Sequence, residues 1–306
     1  MRCFALSQKN NPPAINPFLS KQTQRLCRNW ERATLGARFA IAARISRHRG
    51  IREKAGEEEI IISLTTTERR LPKVHCAVES LLRQTFKPHR IILWVTDQLT
   101  GTDLSVPLLR QQQRGLEVRF RRDLRSFTKL LYALQEHPSA LVVTADDDTL
   151  YPRGWLGQLH ESYLARPALI HCQQARWISS CADGRLKPYL EWNSETPGQA
   201  GPAMRRLPMG VGGVLYPPGR LHSEVFNESV FLKICPTADD IWFKAMSLLN
   251  GVPCHKTTLE FQGYPTVRST RQNGLSRSNL INGVYDRQIR DVFERYNLIG
   301  RLEATS

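Results

Sequence analysis

The stretch VVTADDDTLYP, residues 142–152, runs an apolar strand straight into three consecutive carboxylates, Asp146, Asp147 and Asp148. Like charges this close repel unless a cation or strong hydrogen-bond donors meet them. The stretch is therefore either a solvated turn at a strand end or one wall of a site for something positive. The residues around it alternate in a regular way. IIISLTT (60–66), RIILWV (90–95), LEVRF (116–120) and ALVVTA (140–145) are short β-branched or apolar runs. Between them, PKVHCAVESLLRQ (72–84) and SFTKLLYALQEH (126–137) carry apolar residues at helical spacing. Continuous apolar strands separated by helices predict an α/β fold with a mostly parallel sheet flanked by helices. Ligands of such sheets collect beyond the carboxyl ends of the strands. The segments there are TTTER, TDQ and ADDD, and the last is the densest anionic point of the chain.

In an extended segment side chains i and i+2 share a face, so Asp146 and Asp148 are expected to point into one site and Asp147 away from it. Two carboxylates on one side suit a hard divalent cation, Mg²⁺ or Mn²⁺. The second acidic feature is CPTADDIWFKAMSLLNG (235–251), a helix with Ile241, Ala245, Leu248 and Leu249 on one face and an NG stop. Thr237 and Asp240 fit a capping box. The same geometry also offers a general base, because a helix N-terminus favours an ionised carboxylate. MGVGGVLYPPG (209–219) is Gly-rich but lacks dinucleotide-site spacing, and reads equally as a strand with a bulge. Tyr189 and Trp192, in a Gly/Pro/Ser-containing stretch over 179–208, are candidates for stacking on a sugar or for plain packing.

Strand, TTTER, helix, ILWVTD and a strand ending in ADDD, followed in order by GVGGVLYPP and PTADDIW, resemble GT-A fold glycosyltransferases. The resemblance is to the family-2-like type that builds bacterial surface polysaccharides, and it spans roughly residues 58–265. It implies a Rossmann-like sheet and a metal-dependent transfer of a sugar from a nucleoside diphosphate sugar, UDP by family habit, to a glycan or glycolipid acceptor. Carried over residue by residue, it implies nucleotide contacts from Thr65, Thr67, Asp97, Arg125, Lys129, Asp146 and Asp147. It implies metal ligation by Asp148 and Asp146, with His255 as a further ligand, and catalysis by Asp240 or Asp239 as the base of an inverting reaction. Gly212, Gly213, Trp192 and Tyr189 would line the donor sugar and acceptor. Two other classes stay open: a nucleotidyltransferase acting on sugar phosphates, and a non-catalytic carbohydrate-binding protein on the same scaffold. Against the former, TTTERR lacks the glycines of a phosphate loop.

Charge is unevenly placed. Residues 1–55 hold twelve Lys or Arg against Glu31 and Glu53, which is +10 of the formal +15. This predicts a basic helical N-terminal extension over 1–56 ahead of a domain over 57–306. Leu26, Trp30, Ala33, Ala37 and Ile41 form a narrow apolar stripe in it. Such a helix either lies on an anionic membrane surface, through residues 21–54, or packs its stripe on the body. The same composition fits an organelle transit peptide. No apolar run approaches membrane-spanning length and no RNA-binding signature is present, so a cytoplasmic protein without a nucleic-acid partner is expected. The seven scattered cysteines form no CxxC pair and read as free thiols. RSTRQNGLSRSN (268–279) reads as a basic loop able to close over a diphosphate.

Overall fold

Each of the four apolar runs becomes a strand, and each helical repeat a helix lying across the sheet. The computed structural model describes residues 34–53, 58–193, 201–257, 263–267 and 283–303. A helix over 34–45 (α1) comes first. It is followed by β1 Ile60–Thr65, α2 His75–Leu82, β2 Arg90–Thr96, α3 Val106–Gln112, β3 Leu116–Arg121, α4 Thr128–Glu136 and β4 Leu141–Thr144. Then come α5 Trp155–Ala165, β5 Ile170–Cys172, β6 Ala175–Trp177, β7 Pro202–Ala203, β8 Arg206–Pro208 and β9 Val214–Tyr216. The chain closes with α6 Glu228–Ile234, α7 Asp239–Leu249, β10 Cys254–Lys256 and the helix α8, Val284–Arg295.

The main sheet has the order β3-β2-β1-β4-β9-β5-β10-β7. β3, β2, β1 and β4 are parallel, with Ser63 opposite Ile92 and Thr144 in neighbouring strands. β9 enters antiparallel to both β4 and β5, and β10 runs parallel to β5. The architecture is the expected α/β sheet, Rossmann-like in its first half and mixed in its second. The stretch expected as a loop over 179–208 contributes β7 and β8, which the Gly- and Pro-containing sequence disguised.

Period-2 alternation divides the core into two layers. Ile61, Ile92, Trp94 and Val142 face α4, α7 and α8, while Ile60, Ile62, Leu64, Leu93 and Val143 face α2, α3 and α5. All nine are buried. Burying a side chain of this size is worth about 1.5–3 kcal/mol relative to exposure, which is why the runs are apolar on both faces.

The basic extension, as far as it is described, packs on the body. Gly50 N–H donates to Arg114 O at 2.8 Å, Arg52 N–H to Pro88 O at 3.0 Å, and Arg114 Nε to His48 O at 2.8 Å. Gly50 lies so close to α2 that a Cβ there would sit 2.3 Å from a Leu82 methyl. The packed face of α1 uses Ala42 and Ala43, not the expected stripe, and Ile41 stays 58% exposed. Leu26, Trp30, Ala33 and the expected boundary at 56 lie outside the described residues. No helix among the described residues is long and apolar enough to cross a membrane.

One core residue breaks the pattern. Lys244 lies one helical step from Ile241 and Leu248 on the inward face of α7, and is buried. Its ammonium donates to Cys254 Sγ at 3.7 Å, and no carboxylate forms an ion pair with it among the described residues. Burial lowers its pKa, with nearby Arg206 adding to the effect. Lys244→Met, of similar length and without the amine, is expected to raise stability at pH 7 by about 1–2 kcal/mol, because it removes a desolvated cation. Denaturant unfolding checks this, and a loss of stability would mean the amine is held by more than the thiol.

Candidate active site

The crevice of an open α/β sheet forms where strand order reverses, which here is between β1 and β4. The loop after β1 and the acidic triplet after β4 face each other across it. The side chains that meet there are held from five segments.

Residues 147 and 148 form a turn rather than a continuation of β4. Side chains in a turn do not alternate, so the expected pairing of Asp146 with Asp148 is not formed. Asp147 and Asp148 instead share one cation, Arg70 of the β1–α2 loop. Its Nη1 reaches Asp147 Oδ1 at 2.6 Å and its Nη2 reaches Asp148 Oδ2 at 3.3 Å. Thr66 Oγ1 donates to Asp147 Oδ2 at 2.7 Å. Burial raises the Asp147 pKa, against the pull of Arg70 and Thr66.

Asp146 turns to a second cation. Lys129, on the first turn of α4, places Nζ 3.1 Å from Asp146 Oδ1 and 3.1 Å from Asp239 Oδ2. Burial acts to lower the Lys129 pKa, but Asp146, Asp239 and Asp240 outweigh it and hold the amine charged well above its usual range. The backbone N–H of Asp146 donates to the Tyr151 hydroxyl at 2.9 Å.

Asp239 and Asp240 open α7. Its N-cap is Ala238, with no side-chain cap, so the expected Thr237–Asp240 capping box is not formed; the Thr237 N–H donates to Gln288 Oε1 at 2.9 Å. The expectation that the helix N-terminus keeps Asp240 ionised is also corrected. Burial, then the neighbouring Asp239 charge, push its pKa up to about 8, against Lys129 and the Gly210 N–H. That N–H sits 3.2 Å from each Asp240 oxygen. A Cβ on Gly210 would come within 3.0 Å of Lys129 Nζ and 3.1 Å of Asp240 Oδ1, so a larger residue there would require these side chains to shift by a few tenths of an ångström.

Lys129, Asp146, Asp239 and Asp240 thus form one partly buried ionic cluster, and Arg70, Asp147 and Asp148 adjoin it as a second ionic group. Thr65 donates to Trp94 O at 3.2 Å, Thr67 is exposed, and Asp97 is exposed at the end of β2. Arg125 adopts a left-handed backbone, φ 60°, and donates to Pro236 O at 3.0 Å, tying α4 to the α7 entry.

Other expected residues are used elsewhere. Gly213, φ 87°, would place a Cβ 2.3 Å from the Trp155 ring, and Gly212 one at 2.8 Å from Gln174, so both serve packing. Tyr189 and Trp192 are 5% and 1% exposed. Tyr189 packs on Tyr285 with ring centroids 4.3 Å apart, and the Trp192 indole N–H donates to Lys187 O at 2.9 Å. Neither ring offers an open face to a sugar. His255 sits in β10, three strands from β4, or about 14 Å at the usual strand spacing. It packs edge-on to His171, and its pKa is lowered by burial and then by Arg166. It does not reach the acidic triplet. Arg268, Arg271 and Arg277 lie outside the described residues.

A metal does not fit this arrangement as it stands. The donors are hard oxygens of the right kind, but Asp146 is closed by Lys129, and Asp147 and Asp148 by Arg70. No group of three or more metal-type side chains converges among the described residues. Thr66, Arg70 and Gly210 were absent from the expected site. The signal for Arg70 was the Arg-Arg pair directly after the first strand end, and for Gly210 the glycine run.

No protein-family model matches the chain, and no curated protein matches it in sequence. Among solved structures it is similar to a CMP:2-keto-3-deoxy-manno-octonic acid synthetase complexed with CTP, at 12% identity and a TM-score of 0.41. The match covers 65% of this chain and 89% of the other. The expectation of a UDP-sugar glycosyltransferase with a metal-bound DxD is corrected on the geometry of the site. The carboxylates meant for the metal are paired instead with this chain's own cations, Arg70 and Lys129.

Proposed function

We propose that the chain is a nucleotide-dependent transferase that moves a nucleotidyl group from a nucleoside triphosphate to the hydroxyl of a sugar-derived acceptor. The observation that supports this reading is Arg70, a cation on the loop after β1, facing the β4 end across the sheet's switch point. The loop also carries Arg69 and Lys73 against a single Glu68. It is basic where phosphate groups collect in such sheets, and it takes the place of the glycine loop that TTTERR lacks.

The chemistry follows from the two ionic groups. The acceptor hydroxyl oxygen attacks the α-phosphorus, and its proton passes to the Asp240 carboxylate. The bond from the α-phosphorus to the bridging oxygen breaks, and pyrophosphate leaves with the electron pair. Arg70, whose terminal nitrogens each already hold an aspartate, meets the charge growing on that leaving group with the N–H groups those contacts leave over. A carboxyl group with a pKa of about 8 exchanges a proton near neutral pH far better than an ordinary aspartate, because an efficient catalytic acid or base is poised near the working pH. Lys129 holds Asp239 and Asp146 in place, as a positioning residue.

The test is calorimetric titration with CTP, UTP, GTP and ATP, followed by a pyrophosphate-release assay over a panel of sugar acids and sugar phosphates. At least one triphosphate is expected to bind. Arg70→Gln is expected to weaken it about tenfold or more, since a charge-assisted contact is worth about 1.5–3 kcal/mol. Failure of all four to bind overturns the reading.

A further inference from the structure

Away from the crevice, the packing of the N-terminal segment on α2 leaves a half-open surface groove of about 230 Å³ lined by His48, Arg83 and Arg153. The three come from different parts of the chain: the segment after α1, the C-terminal end of α2, and the turn before α5. The backbone fixes this groove. Thr85 N–H and Thr85 Oγ1 both donate to Arg153 O at 2.9 Å, and Arg114 Nε donates to His48 O at 2.8 Å. The eight residues of α2 separate Arg83 from the β1 loop, about 12 Å along a helix.

The charge here is one-sided. Burial, and after it the charges of Lys87, Arg114, Arg83 and Arg153, lower the His48 pKa. The carboxylate that answers them is Glu79, and it is already shared by Arg83 and Arg114. No described carboxylate forms an ion pair with Arg153 or Lys87. His48 and Arg153 are exposed and the Arg83 side chain is 42% exposed, so water screens these charges, and an anion would reach them from solvent. The volume is below the roughly 300–1,000 Å³ of sites for drug-sized ligands, and suits one small anionic group rather than a whole nucleotide.

From this geometry we infer a second anion site, in which Arg83, Arg153 and His48 hold a phosphate group at the seam between the N-terminal segment and the body. The group is either free phosphate or the headgroup of an anionic lipid. Next to the seam, α1 exposes Ile41 and Ile45, which a lipid source would use and a soluble one would not.

The full chain is titrated with inorganic phosphate by calorimetry and, separately, floated with vesicles of phosphatidylglycerol or of phosphatidylcholine alone. Wild type, Arg153→Gln, Arg83→Gln and Arg70→Gln are compared, each checked for a native unfolding transition. Binding to phosphate, or to phosphatidylglycerol vesicles only, is expected. It should fall about tenfold in Arg153→Gln or Arg83→Gln and persist in Arg70→Gln. Phosphate binding identifies the soluble source, and flotation without it the lipid. No binding in either arm overturns the inference, as does binding that Arg70→Gln removes while both seam variants keep it. Because Arg70 serves the crevice, a failed seam and a failed crevice give opposite patterns.

Discussion

Arg114→Met is expected to destabilise the protein by about 3–5 kcal/mol, because it strands a carboxylate in the interior. Glu79 is fully buried on α2 and Arg114 is 3% exposed. Their contact is bidentate, with Nη1 to Oε2 at 2.6 Å and Nη2 to Oε1 at 3.1 Å. The remaining Glu79 capacity is met by Gln111 Nε2 at 3.2 Å and Arg83 Nε at 3.0 Å. Arg114 also reaches outward through Nε to His48 O, so one guanidinium joins α2, the end of α3 and the N-terminal segment. Removing it leaves Glu79 with a half-exposed arginine and an amide as its only described partners. Denaturant unfolding at pH 7 measures the loss. The double variant Glu79→Leu/Arg114→Met is expected to recover much of it, since replacing both members with apolar residues removes the unpaired charge. A single variant within about 1 kcal/mol of wild type would mean Arg83 alone satisfies Glu79.

That buried pair also marks where sequence reading stops. The strands and helices were legible because apolar runs and three-four spacing are local: β1, β2, β3 and β4 fall within a residue or two of their expected bounds. Lys244 was not read as core, although the spacing that puts Ile241 and Leu248 inward puts it with them. The partnership of Glu79 with Arg114, 35 residues on, was not legible, because no local period encodes which helix face meets which turn. The site divides in the same way. The ADDD and ADD carboxylates announced themselves by charge density, and Lys129 by its place after the third strand. Arg70 and Thr66 did not, because the expected alternation assumed that the strand continues through Asp148. A turn at 147–148 redirects Asp147 and Asp148 to a cation in another loop. Tyr189 and Trp192 misled for a related reason. Aromatic residues in a polar segment look like an exposed platform, and only the docking of α8 shows them to be core.

Asp240→Asn is expected to abolish transfer and to make the protein more stable than wild type in mildly alkaline solution. In the folded state Asp240 keeps its proton up to about pH 8, whereas an unfolded aspartate releases it near 4. Between those limits the native state binds the extra proton, so wild-type stability falls as pH rises through the window from about 4 to about 8. Above it, an ionised Asp240 shares its pocket with Asp239 and Asp146, with Lys129 as the described cation between them. Asparagine keeps an oxygen for the Gly210 N–H but has no proton to lose, so this part of the slope disappears. The difference at pH 8.5 is expected to be on the order of 2–4 kcal/mol in favour of the variant, and near zero at pH 4. Unfolding free energies from pH 4 to 9 test the linkage, and pyrophosphate release tests the chemistry. A variant with the wild-type pH slope would mean that Asp240 does not carry this proton. A variant that loses the slope yet keeps its turnover would remove Asp240 from the proton-transfer role and leave it a structural carboxyl.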